Sequence, residues 1–204
     1  MTRVKICGLS RQKDIEAVNE YLPDYIGFVF AESRRQVSDS TAIELKRGLS
    51  PAIAAVGVFV NERPERILRL CEAGAIDLVQ LHGEETEKYM EDLKSRVPNK
   101  IIKAIRVKSK EDIEKAKSTC SDYLLFDAYK KDQYGGAGES FDWSMIAEIN
   151  KPFFLAGGID NGNVMRAVSQ AAPYGIDVSS GVETEGCKDA AKIKELIAKI
   201  RSVG

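Results

Sequence analysis

Several short segments of this sequence place a side chain able to carry a proton or grip an anion directly after an apolar run. Lys5-Ile6-Cys7-Gly8-Leu9 presents a thiol followed by glycine. Such a thiol could act as a base or nucleophile if its pKa fell from about 8.5, although a lone cysteine is also an ordinary small buried hydrophobe. In Leu124-Leu125-Phe126-Asp127 a carboxylate follows three large apolar residues. Partial burial there would raise its pKa and suit it to general-acid work; the alternative is a helix cap. Gln80 and His82 in Gln80-Leu81-His82-Gly83 share one face of an extended segment, and the histidine is either structural or an acid–base group. The pair Arg34-Arg35 after Gly27-Phe28-Val29-Phe30 could fork onto a carboxylate, or belong to a solvated basic loop.

Two further turns suit an anion. Leu155-Ala156-Gly157-Gly158-Ile159 and Val178-Ser179-Ser180-Gly181-Val182 carry small residues that let backbone N–H groups approach a phosphate closely. Two such turns after consecutive late strands are a stronger signal than one. The run Gly135-Gly136-Ala137-Gly138 lacks the strand–turn–helix setting of a dinucleotide fingerprint. It reads either as flexible backbone closing over a ligand or as a simple turn.

These residues need a frame that brings strand ends together. Eight short β-rich runs recur along the chain: Val4–Cys7, Tyr25–Phe30, Ala54–Val60, Asp77–Leu81, Ile101–Arg106, Tyr123–Asp127, Phe153–Ala156 and Ile176–Ser179. They are apolar enough to be covered on both faces, as parallel strands are. Between them lie segments with helical spacing, such as Ile15, Val18 and Leu22, or Ile193, Leu196, Ile197 and Ile200. Ser109 with Asp112 has the spacing of a capping box, and Gly48 and Gly74 stand where helices should end. Eight such units, each about 25 residues, predict an α/β fold: a single (β/α)8 TIM barrel spanning 1–204 as one domain. A doubly wound open sheet is the competing arrangement, and the lack of any domain break favours closure. Barrel chemistry sits at the C-terminal strand ends, where the reactive residues fall. The long stretch Ala128–Phe141 is then a candidate substrate loop. Strand parity also turns Lys5 inward with Cys7, and closure makes the first and eighth strands neighbours. Lys5 is therefore expected to pair with Asp177 or another inward acid.

Composition narrows the function. Thirty basic against 31 acidic residues, a net charge of −1, argue against a nucleic-acid binder. No apolar run approaches the roughly 18 residues of a membrane span, and the N-terminus passes straight into a strand pattern, so a cytoplasmic protein without a signal peptide is expected. Cys7, Cys71, Cys120 and Cys187 are far apart and His82 is the only histidine, which disfavours a disulfide framework and a His-cluster metal site. Carboxylates, one histidine and a thiol remain for any chemistry.

Taken in order, Lys5–Leu9, Gly27–Phe30, Gln80–Gly83, Gln133–Gly138, Phe141-Asp142-Trp143, Leu155–Ile159 and Asp177–Glu183 closely resemble the phosphoribosylanthranilate isomerase family. The resemblance runs from the first strand to the eighth. It implies a cofactor-free and metal-free Amadori rearrangement of a phosphorylated aminosugar, with a small-molecule substrate and a monomeric or homodimeric enzyme. It implies Cys7 as general base, Asp127 as general acid and Arg35 as ligand of the anthranilate carboxylate. Gln80 and His82 would contact substrate, and Gly136, Gly157, Gly158, Ser180 and Gly181 would surround the phosphate. Arg34 stands where the family often has proline, leaving open which arginine is the ligand, and the loop Asp127–Asp132 is more charged than usual. Two other readings stay open. One is the decarboxylating indole-glycerol-phosphate synthase barrel, which is longer at its N-terminus and resembles this chain less at the first and sixth strands. The other is a non-catalytic phosphosugar binder, against which the presence of both Cys7 and Asp127 weighs.

Overall fold

A computed structural model describes residues 1–128, 143–146 and 149–202. Eight parallel strands close into a barrel in chain order: β1 (Arg3–Cys7), β2 (Tyr25–Val29), β3 (Ala54–Phe59), β4 (Leu78–Leu81), β5 (Lys100–Val107), β6 (Tyr123–Ala128), β7 (Phe153–Ala156) and β8 (Gly175–Val178). β8 pairs back onto β1, with Lys5 opposite Asp177. All eight expected strands are present, and no end moves by more than one residue. The expected loop Ala128–Phe141, with Gly136 inside it, lies outside the described residues apart from Ala128, which ends β6.

Helices α1 (Gln12–Tyr21), α2 (Asp39–Arg47), α3 (Pro64–Glu72), α4 (Glu87–Arg96) and α5 (Lys110–Ala116) follow the first five strands; α6 (Val164–Ala171) and α7 (Ala190–Arg201) follow β7 and β8. After β6 the described residues hold one 3-10 turn, Trp143–Ile146. Local chemistry sets the helix ends. Ser38 Oγ accepts from Thr41 N–H at 3.0 Å, and Asp189 accepts from Ala191 N–H at 2.9 Å. The Asp112 carboxylate accepts from Ser109 N–H at 3.0 Å, as the capping-box spacing suggests. Gly48 caps α2, and Gly74 follows α3 with φ +64°.

Side-chain alternation along the strands divides the apolar residues into two layers. The outward set, including Ile6, Phe28, Val79, Phe126 and Leu155, packs under the helices with Ile15, Leu93, Ile193 and Leu196. The inward set fills the barrel: Val56, Leu78, Ile102, Ala104, Tyr123, Leu125, Phe154 and Ala156. Each large side chain fully buried in this way contributes about 1.5–3 kcal/mol. At the N-terminal end Tyr25, Tyr123, Phe154 and Tyr174 plug the barrel through edge and tilted ring contacts, and the hydroxyls of Tyr25 and Tyr174 lie 2.8 Å apart. Climbing toward the other end, the inward positions turn polar: Lys5, Cys7, Gln80, Asp127 and Asp177.

After β8 the chain makes a 3-10 turn, Ser180–Val182, and then an unanticipated antiparallel hairpin, β9 (Glu183–Thr184) with β10 (Cys187–Lys188). Its two turn residues, Glu185 and Gly186, have φ of 51° and 78°, the geometry that fits a two-residue connection to the strand twist.

Candidate active site

The C-terminal mouth of the barrel holds a cavity of about 470 Å³. Cys7, Arg35, Gln80, His82, Asp127, Gly157, Gly158 and Ser180 all line it. Cys7 ends β1 and Asp127 comes from β6, so the two point into one space from opposite parts of the ring. Gly181 does not line the cavity; a Cβ there would run into the Ile159 carbonyl and the Asp160 backbone, so only glycine lets the β7 and β8 turns approach this closely.

Cys7 is buried, and Gly27 on the adjacent strand leaves it room: a Cβ there would lie 2.7 Å from Sγ. Burial pushes the thiol up, the Lys5 and Lys188 ammonium groups pull it down, and the net direction is upward. The resting thiol is therefore the protonated form, and the two lysines lessen the cost of the thiolate. Lys5 is fully buried and its Nζ lies 3.0 Å from Asp177 Oδ1. This is the expected inward pair. The contact is an ion pair between two side chains withdrawn from water. Burial alone would depress Lys5, but Asp177 and Cys7 override it and hold its pKa above the ordinary value.

Gln80 Nε2 lies 2.9 Å from His82 Nδ1, and His82 Nε2 lies 3.3 Å from Asp127 Oδ2. With the Gln80 amide donating to Nδ1, the neutral ring carries its hydrogen on Nε2, facing Asp127. That leaves Asp127 Oδ1 for a ligand. The sides of the cavity differ in character. Near β2 and β3, Val29, Val58 and Val60 form an apolar wall beside Arg35. Near β7 and β8 lies glycine backbone, where Gly157 and Gly158 hold φ of 88° and 67°, values that side-chain-bearing residues rarely adopt.

The cavity thus sets Arg35 and an apolar wall on one side and glycine backbone on another, with the Cys7 thiol and the Asp127 carboxylate opening into the same space. A family model described as N-(5'phosphoribosyl)anthranilate (PRA) isomerase matches residues 4–199. The chain belongs to that family. The N-(5'-phosphoribosyl)anthranilate isomerase of Acetivibrio thermocellus is 50% identical over 210 residues, covering 98% of this chain and 96% of the relative. The crystal structure of the Thermotoga maritima phosphoribosyl anthranilate isomerase superposes with a TM-score of 0.89 at 38% identity, covering 99% of this chain and all of that one. A phosphoribosyl anthranilate isomerase structure in complex with reduced 1-(o-carboxyphenylamino)-1-deoxyribulose 5-phosphate superposes at 0.87, with 35% identity and the same coverage. These matches decide for the isomerase family over the synthase.

Three features of the site were not singled out from the sequence. Ser179 Oγ donates to the Cys7 carbonyl at 3.0 Å, tying β8 to the residue that carries the thiol. Lys188 is buried beside Ser179 and Glu183. Glu183 receives Arg34, Arg35 and Lys188 together. Burial would raise the Glu183 carboxyl, but hydrogen bonds and charge from Arg35 and Lys188 hold it down at about 2. The only advance signal for Glu183 was its place at the end of the Asp177–Glu183 motif. Among the described residues, no helix is long and apolar enough to cross a membrane.

Proposed function

We propose that the chain converts N-(5-phosphoribosyl)anthranilate to 1-(2-carboxyphenylamino)-1-deoxyribulose 5-phosphate, the aldose–ketose isomerisation its family performs in tryptophan synthesis. The whole chain, 1–204, acts as one barrel domain. The reading is that of a cytoplasmic enzyme needing no cofactor, with a phosphorylated small molecule as its ligand and no nucleic acid. The observation that carries the residue roles is one cavity presenting Cys7 and Asp127 between an arginine with an apolar wall and a pair of glycine-rich turns.

Arg35 binds the anthranilate carboxylate, and Val29 and Val58 flank its ring. The phosphate lies against backbone at Gly157, Gly158 and Ser180, with Gly181 holding that turn in place and Gly136 as a further phosphate contact. Gln80 and His82 contact the sugar, and His82 also orients Asp127. Asp127 donates a proton to the ribose ring oxygen as the C1′–O bond breaks, leaving a protonated Schiff base at C1′. The Cys7 thiolate then removes the C2′ proton, and the C–H electrons neutralise the iminium to give an enolamine. Proton loss from the C2′ hydroxyl and protonation at C1′ give the aminoketose. Cys7 becomes the base by releasing its thiol proton to water in the open cavity, and the cationic Schiff base, together with Lys5 and Lys188, favours that thiolate. Each positioned proton carrier contributes roughly 10²–10⁴-fold. Incubation with phosphoribosylanthranilate, followed by loss of its fluorescence, tests the reading. No turnover by folded protein would reject it.

A further inference from the structure

The β9–β10 hairpin adds no strand to the barrel, yet it delivers a buried carboxylate to the edge of the active site. Glu183 and Lys188 face each other across the hairpin, and Lys188 Nζ donates to Glu183 Oε1 at 2.7 Å and to the Ser179 carbonyl at 3.0 Å. Ser179 in turn holds the end of β1 through the Cys7 carbonyl. The position of Glu183 is therefore fixed relative to both β8 and β1. Against it lies Arg35, donating from Nε to Oε1 at 2.6 Å and from Nη2 to Oε2 at 2.8 Å. Arg34 adds a third contact, Nη2 to Oε2 at 2.6 Å.

A guanidinium has five N–H groups arranged on a flat fork. The Nε–Nη2 edge is the one Glu183 occupies. That leaves the Nη1–Nη2 edge, which can pair with a second carboxylate through two parallel hydrogen bonds. The arm is held from below as well. Gly8 has φ +84°, and a Cβ there would run into Arg35 Cδ, so the arginine lies directly across the end of β1 beside Cys7. Three cations, Arg34, Arg35 and Lys188, surround one carboxylate, so the corner keeps a positive excess for an incoming anion.

We infer that Glu183 is a positioning residue for carboxylate recognition: it grips one edge of Arg35 and thereby presents the other edge, already ordered, to the acid group of the substrate. The inference rests on the assignment of Arg35 made above. Preordering of a long side chain lowers the cost of binding, and it selects a ligand whose carboxylate sits at a fixed place beside the ring. A flexible arginine in the same corner would still attract anions but would discriminate less.

The test uses two stable inhibitors: reduced 1-(2-carboxyphenylamino)-1-deoxyribulose 5-phosphate and its phenylamino counterpart without the carboxylate. Inhibition constants are measured for the wild type, Glu183→Gln, Arg35→Ala and the double variant. Glu183→Gln should weaken the carboxylated inhibitor by about tenfold and leave the other within about twofold, and adding it to Arg35→Ala should cost nothing more. A merely structural role would weaken both inhibitors alike, and that result would overturn the inference. If Arg35→Ala abolishes the preference while Glu183→Gln keeps it, the role of Glu183 falls and the assignment of Arg35 stands. If Arg35→Ala keeps the preference, the assignment of Arg35 fails and the inference with it. Should Glu183→Gln not fold, Glu183→Ala/Lys188→Met removes both members of the hairpin pair and is read in the same way.

Discussion

Removing one member of the Lys5–Asp177 pair should cost far more than removing both. Lys5 is wholly buried and the Asp177 side chain is 9% exposed at the floor of the cavity. Lys5→Met would strand a carboxylate that water still reaches from the mouth, so its cost should lie near the lower end of the usual range, about 3 kcal/mol. Asp177→Asn would strand an ammonium with no access to solvent, and about 4–5 kcal/mol is expected. The double variant Lys5→Met/Asp177→Asn leaves no charge behind, and its stability should return to within about 2 kcal/mol of wild type. In a chain of this length a 3 kcal/mol loss lowers Tm by roughly 6–12 °C, so urea and thermal unfolding both resolve the pattern. Because the Lys5 ammonium is one of the groups pulling the Cys7 thiol down, Lys5→Met should also move thiol alkylation to higher pH, with the other cysteines replaced. Additive effects of the two single substitutions would refute the reasoning, because they would mean that neither charge depends on the other.

Arg35→Ala should raise KM by roughly 10- to 150-fold, corresponding to about 1.5–3 kcal/mol of lost binding, while Arg34→Ala, whose side chain is 59% exposed, should do much less; steady-state kinetics of both variants checks the order. Cys71→Ala, Cys120→Ala and Cys187→Ala should leave kcat near wild type, because none of the three lines the cavity. Glu183 has a folded-state pKa near 2, below its unfolded value of about 4.3, so its contribution to stability is full above that unfolded value and is lost as pH falls toward 2. Glu183→Gln should therefore flatten the fall of unfolding free energy between about pH 4.3 and 2, which denaturant titrations at several pH values would show.

The barrel was legible because its strands are covered on both faces and read as continuous apolar runs, so Phe153–Ala156 and its seven counterparts stand out without an alignment. Parity then carried the argument inward. A period of two places Lys5 beneath Cys7 and Gln80 beneath His82, and closure sets Lys5 against Asp177. The hairpin that presents Glu183 escaped notice for a physical reason. Its strands are two residues long, too short to show alternation, and its Glu185-Gly186 turn lacks the asparagine or aspartate that marks such turns most strongly. The meeting of Arg34, Arg35, Lys188 and Glu183 was equally hidden, since it joins loops after β2 and β8 that only closure brings together. The upward shift of the Cys7 thiol follows from burial, a tertiary quantity that strand position alone does not supply.

The central claim is that Cys7 and Asp127 are the two proton carriers of the isomerisation. The most direct measurement is kcat on phosphoribosylanthranilate for Cys7→Ala and Asp127→Asn, each compared with wild type at matched fold and stability. Each should fall by at least about 10²-fold. A Cys7→Ala protein that turns over substrate at a near-normal rate would contradict the mechanism, whatever the fold and the substrate prove to be.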